Sequence, residues 1–160
     1  MLERTGVPIA EQINSVFPSE ERLAKGPVAI IECYQNIPCN PCFTACNRNA
    51  IKEFQDINDL PEINHDQCNG CGLCIAKCPG LAIMVLDAAY SEDEVLIKIP
   101  YEFTPLPKEG QTAKGLDREG RYVCDVTVVK VLNSRALDRT PIVSIAVPRG
   151  YLKAVRNFGM

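Results

Sequence analysis

The sequence predicts an α+β protein in three segments, and three observations carry that prediction. Residues 1–27 show short stretches of helical periodicity. Residues 28–90 crowd eight of the nine cysteines into a duplicated pattern of apolar strand, cysteine cluster and turn of helix. Residues 91–160 switch to apolar alternation of period two. Charge divides near the same seam, at "DAAYSEDE": residues 28–91 sum to −4 and residues 92–160 to +2.

The whole chain bounds what such a protein can be. Its 160 residues suffice to bury a core. A formal charge of −3 and a pI near 5.2 argue against a phosphate-binding surface, so no nucleic-acid partner is expected. No apolar run approaches the length of a membrane span. Nine cysteines are more than packing requires, and they suit either a secreted disulfide scaffold or a set of metal ligands. The opening "MLERTGVPIAEQ" has no apolar core of a signal peptide and no cleavage site, so the expectation is a cytoplasmic protein that spends cysteine on metal.

Within the leader, "PIAEQINSVF" places Ile9, Ile13, Val16 and Phe17 on one face, with Pro8 suited to the first helical position. Pro18 stops that helix, Ser19 can cap a second one, and Gly26–Pro27 end it. The apolar stripe fits packing on the domain that follows or docking to a partner. In the tail, Val95, Ile97, Ile99, Tyr101 and Phe103 alternate with less apolar neighbours. Tyr122, Cys124, Val126 and Val128 do so again, and then Val143, Ile145 and Val147. "TPLPKEGQ", "GLDREGR" and "LNSRALDRTP" mark turns between them, and strands at this spacing suggest a small β-barrel-like domain. The final "RGYLKAVRNF" sets Tyr151, Leu152, Val155 and Phe158 on a helical stripe, predicting a C-terminal helix.

The strongest chemical signal is Cys68-x2-Cys71-x2-Cys74-x3-Cys78-Pro79. Three thiolates within seven residues wrap three corners of a 4Fe–4S cubane if the backbone curls tightly, and Gly70 and Gly72 permit that curl. A zinc site would instead pair two C-x2-C units across a longer loop. The earlier half reads Cys33-x5-Cys39-x2-Cys42-x3-Cys46, with Asn36 where the regular spacing would put a cysteine and Asn47 where the second motif has proline. Cys33 ends the strand "VAIIE" and is expected to be the missing ligand, with "YQNIP" bulging outward. If Cys33 does not ligate, this site would hold a 3Fe–4S cluster or use a non-cysteine ligand.

Other residues have plainer readings. Cys124 belongs to an apolar strand face and is expected in the core. His65, the one histidine, is expected at the surface beside the cluster. "GLDREG" reads as a solvated turn, and the tyrosines and phenylalanines read as core. No phosphate loop, nucleophile–base pair or paired-carboxylate constellation stands out, so no catalytic residue is expected.

Residues 28–90 resemble the two-cluster bacterial ferredoxins, specifically over Cys68–Pro79 and more loosely over Cys33–Asn47. That resemblance implies a pseudo-symmetric fold with two 4Fe–4S clusters in which each fourth cysteine crosses over. Cys33, Cys39, Cys42 and Cys78 would bind one cluster, and Cys68, Cys71, Cys74 and Cys46 the other. A narrower likeness covers "PSEERLAKGPVAIIECYQNIPCNPC" and the β-rich tail. It is to the small iron–sulfur subunits of flavin-dependent amino- and imino-acid dehydrogenase complexes of the proline or D-hydroxyproline type. This implies a non-catalytic electron-transfer subunit in a hetero-oligomer, with FAD or FMN on the partner subunits. A freestanding two-cluster ferredoxin, and an interaction module in which the clusters are merely structural, are the alternatives.

Overall fold

The computed structural model describes residues 2–160. Helices α1 (Leu2–Thr5), α2 (Ala10–Val16) and α3 (Glu20–Ala24) form the leader, and α4 (Pro41–Ala45) and α5 (Leu73–Lys77) lie in the cysteine-rich segment. The strands are β1 (Val28–Ile31), β2 (Ile83–Asp87), β3 (Glu94–Pro100), β4 (Thr112–Leu116), β5 (Tyr122–Leu132), β6 (Ile142–Pro148) and β7 (Asn157–Gly159). They build one seven-stranded antiparallel sheet in the order β1-β2-β3-β6-β5-β4-β7.

The sheet is open, which corrects the expected barrel. β3 pairs on one side with β6 and on the other with β2, through Val85↔Lys98, Leu86↔Ile97 and Asp87↔Leu96, so ladder hydrogen bonds run straight through the seam near residue 90. With that edge of β3 taken by β2, the tail strands extend a sheet begun by β1 and β2 and do not close on themselves. The sheet still curls, and Tyr101, just past β3, stacks on Phe158 of β7 with ring centroids 4.8 Å apart.

β1 and β2 are buried on both faces, which is why they read as continuous apolar runs. Val28, Ile30, Met84 and Leu86 face a core shared with Val95, Ile97, Val128, Ile145 and Phe158. Ala29, Ile31, Ile83 and Val85 face the opposite way, onto the cysteines. Each alternate residue therefore belongs to a different half of the molecule.

The leader packs on its own chain, with Phe17 and Leu23 buried in the main core and Ile13 and Val16 against it. Ser19 caps α3 by accepting the N–H of Arg22 at 3.2 Å, as expected. Pro8 stands before the first turn of α2, where the Gln12 side chain accepts the N–H of Ile9.

The predicted C-terminal helix is corrected. Arg149–Tyr151 make one 3-10 turn, then Arg156 donates its N–H to Leu116 O and residues 157–159 pair with β4. The free edge of β4 offers backbone partners, and that pairing overrides a weak helical stripe. β4 escaped the sequence reading because "TAKGL" has few apolar residues. Its Gly115 lies against Val126, Cys124 and Val155, where a Cβ would stand 2.9–3.2 Å from its neighbours. The aromatic residues divide as well: Phe17, Tyr101 and Phe158 are buried, whereas Phe103, Tyr122, Tyr90 and Tyr151 are exposed, against the expectation of core.

Candidate metal centres

The eight clustered cysteines sort into two cavities of four. Cys33, Cys39, Cys42 and Cys78 line the first, with Ile31, Phe54, Pro61, Pro79 and Ile83 among its walls. Cys46, Cys68, Cys71 and Cys74 line the second, with Ala29, Ile51, Ile63 and Leu73. The ninth cysteine, Cys124, is buried on β5 with the main core.

Two short helices produce this sorting. α4 carries Cys42 and ends at Cys46; α5 carries Cys74 and ends at Cys78. Positions i and i+4 of a continuing helix would share a face. Here the second cysteine of each pair is the C-cap, with extended backbone (ψ 96° at Cys46, 110° at Cys78), so the chain turns away and the thiol reaches the other cavity. Each helix thus contributes one cysteine to each site.

The loops differ. Between Cys33 and Cys39 the residues Gln35–Pro38 are exposed, and the bulge is tied down where Asn36 donates to Asn58 O at 2.9 Å and Cys39 N–H to Ile57 O at 3.1 Å. Between Cys68 and Cys74 the curl rests on Gly70 (φ +66°) and Gly72 (φ +82°). Gly70 is buried against Pro27, and a Cβ there would fall 2.5 Å from Pro27 Cβ.

The sites lend sulfur a polar yet dry setting. Ala29 and Gly70 donate N–H groups to Cys68 Sγ at 3.3 and 3.4 Å, and Ala82 donates to Cys78 Sγ at 3.4 Å. Burial, with the neighbouring Cys68 and Cys71, pushes the Cys74 thiol up to about 12; burial pushes Cys42 up to about 11. Burial would also push Cys46 up, but the backbone N–H groups of Ile51, Arg48, Ala50 and Asn49 hold it below the ordinary thiol value. Thiols as reluctant as Cys42 and Cys74 become thiolates at neutral pH when a bound cation supplies the opposing charge. Among the described residues no three His, Cys, Asp or Glu side chains stand close enough together to hold a single metal ion. Each set of four thiols lines a cavity, as the ligands of a cluster several atoms across would. Four thiol donors, apolar walls and N–H groups aimed at sulfur fit an iron–sulfur cluster in each cavity.

Several charged residues around these sites were not legible as such. "GLDREG" does more than turn: Arg118 reaches back to Glu32 with two contacts of 2.9 and 2.6 Å, both side chains nearly buried. Arg156 joins the same carboxylate at 3.4 Å. These groups lie beside Tyr34, whose buried hydroxyl has no hydrogen-bond partner among the described residues. His65 is half-buried and not on the open surface; its Nε2 has no partner among the described residues, and its carbonyl accepts from Arg22 at 2.7 Å.

Residues 61–84 match the family described as "4Fe-4S binding domain". Among curated proteins the chain is similar to the ferredoxin-type protein NapF of Escherichia coli K12, 38% identical over 52 residues, covering 31% of this chain and 32% of that one. NapF of Haemophilus influenzae is 38% identical over 58 residues, 35% of this chain and 33% of that one. The pyruvate synthase subunit PorD of Methanocaldococcus jannaschii is 35% identical over 54 residues, 34% of this chain and 60% of that protein. The chain thus spans about a third of the NapF proteins it matches. No solved structure matches it. Residues 61–84 match a 4Fe–4S binding domain, and with the donor set this supports a ferredoxin-like iron–sulfur protein.

Proposed function

We propose that the chain is an electron-transfer subunit holding two 4Fe–4S clusters, one on Cys33, Cys39, Cys42 and Cys78 and one on Cys46, Cys68, Cys71 and Cys74. The observation that carries this reading is the sorting of eight thiols into two four-thiol cavities linked by α4 and α5. When bound, each cluster supplies reversible one-electron exchange, and four cysteine ligands leave no open iron position for bond chemistry. The chain's own part is to exclude water with apolar walls, to aim N–H groups at sulfur, and to hold both sites on one short pair of helices.

The partner is proposed to be a flavin-bearing dehydrogenase of the amino- or imino-acid class, in a cytoplasmic hetero-oligomer, with FAD or FMN on its subunits. The likeness of leader and tail to the small subunits of such complexes supports this. So does the similarity to PorD, itself named a subunit of pyruvate synthase. No helix among the described residues is long and apolar enough to cross a membrane. Anaerobic titration of the loaded chain with dithionite tests the relay: about two electrons per chain are expected, and about one would remove the second cluster from the account. Native isolation tests the partner. Migration in a flavin-containing complex is expected, and a flavin-free monomer would favour a freestanding ferredoxin.

A further inference from the structure

Arg22 is buried, 8% exposed, yet among the described residues no carboxylate lies within ion-pair distance of it. Its guanidinium donates instead to four backbone carbonyls: His65 O at 2.7 Å, Gly26 O and Pro27 O at 3.1 Å each, and Cys68 O at 2.6 Å. The nearly buried arginines Arg118 and Arg156 share the Glu32 carboxylate. Carbonyl dipoles solvate a cation but do not neutralise it, and a buried charge without a counter-charge is costly. Asp66, between the two loop residues Arg22 holds, is exposed and does not pair with it, and Cys68 is where a ligand's negative charge would arrive.

We infer that Arg22 is a positioning residue for the cluster held by Cys68, Cys71 and Cys74: its guanidinium is that cluster's buried counter-charge, and it raises the cluster's reduction potential. The inference rests on the proposed ligation by these cysteines. A reduced cluster carries one more negative charge than an oxidised one, so a nearby buried cation favours the reduced form. Other groups add to the effect. Lys98 Nζ lies 3.5 Å from Gly70 O, Arg48 lines the second cavity, and two N–H groups already point at Cys68 Sγ. The first cavity is lined by Asp59, and beyond Cys33 the two arginines are partly cancelled by Glu32. The second site is therefore the higher in potential and the resting place of the first electron.

The test is a redox titration followed by electron paramagnetic resonance on the full chain, loaded anaerobically, as wild type, Arg22→Gln and Arg22→Lys, with iron and sulfide measured on each. Wild type is expected to show two midpoints. Arg22→Gln lowers the upper one and leaves the lower in place, and Arg22→Lys, which keeps the charge, stays near wild type. Unchanged midpoints in a fully loaded Arg22→Gln overturn the inference. If Arg22→Gln loses iron, Arg22→Lys decides: a loaded variant with the wild-type midpoint supports the counter-charge, whereas iron loss there too makes Arg22 a clamp on the loop and overturns it. A single midpoint with about four irons in wild type would instead refute the two-cluster reading, and the Arg22 variants would still report on the cluster that remained.

Discussion

The two cysteine-lined cavities present four thiols each and are built in opposite ways. The first closes over a loop stiffened by Pro38 and Pro41 whose extra residues, Gln35–Pro38, project into solvent. The second closes over a glycine curl packed under Pro27 and fastened by Arg22. Spacing between ligands is free to change where the intervening chain faces water, because an insertion displaces nothing. Where the chain is buried on its outer side, spacing and glycine are both fixed by sterics. The irregular first motif and the regular second one follow from that difference.

The comparison breaks most visibly at the crossed cysteines. Cys78→Ser is expected to cost about half the iron and to spare the site of Cys71 and Cys74, its sequence neighbours, while Cys46→Ser does the reverse. Spectra in which each variant damages the site of its own motif would show that the crossing is wrong. Next in size is Glu32→Gln. It leaves Arg118 and Arg156 buried without their carboxylate and should destabilise the fold by about 3 kcal/mol or more, read from urea unfolding. A cost near zero would mean that solvent already screens that pair.

Gly70→Ala sharpens the contrast between loops. A side chain at φ +66° against Pro27 should cost roughly 2 kcal/mol and reduce loading at the second site, seen as lost iron and a lower melting temperature. An alanine at exposed Gln35 in the first loop should change neither, staying within about 0.5 kcal/mol. Cys124→Ala has a smaller effect than Gly70→Ala: it is expected to lose about 1 kcal/mol and no iron. Iron loss there would draw the ninth cysteine into a site.

Much of this was legible in residue spacing. Gly70 and Gly72 do take left-handed backbone, Ser19 does cap α3, and the apolar runs at 28–31 and 83–87 are strands. The sheet's continuity was not, because pairing of β2 with β3 is a long-range choice of edge that alternation leaves open. β7 was hidden for the same reason, its three residues being strand by virtue of β4 alone. Charges were the least legible. Arg22 in "EERLAKG" and Arg118 in "GLDREG" sit in segments that look solvated, and their burial depends on Cys68 and Glu32, 46 and 86 residues away.

The central claim is two clusters with Cys33 as the irregular ligand, and iron with acid-labile sulfide per chain tests it most directly, on anaerobically prepared wild type beside Cys33→Ser. About eight of each in wild type, with one cluster lost or converted in the variant, is the predicted result. About four of each in wild type, unchanged by the substitution, would contradict it and leave residues 33–46 a fold without a cluster.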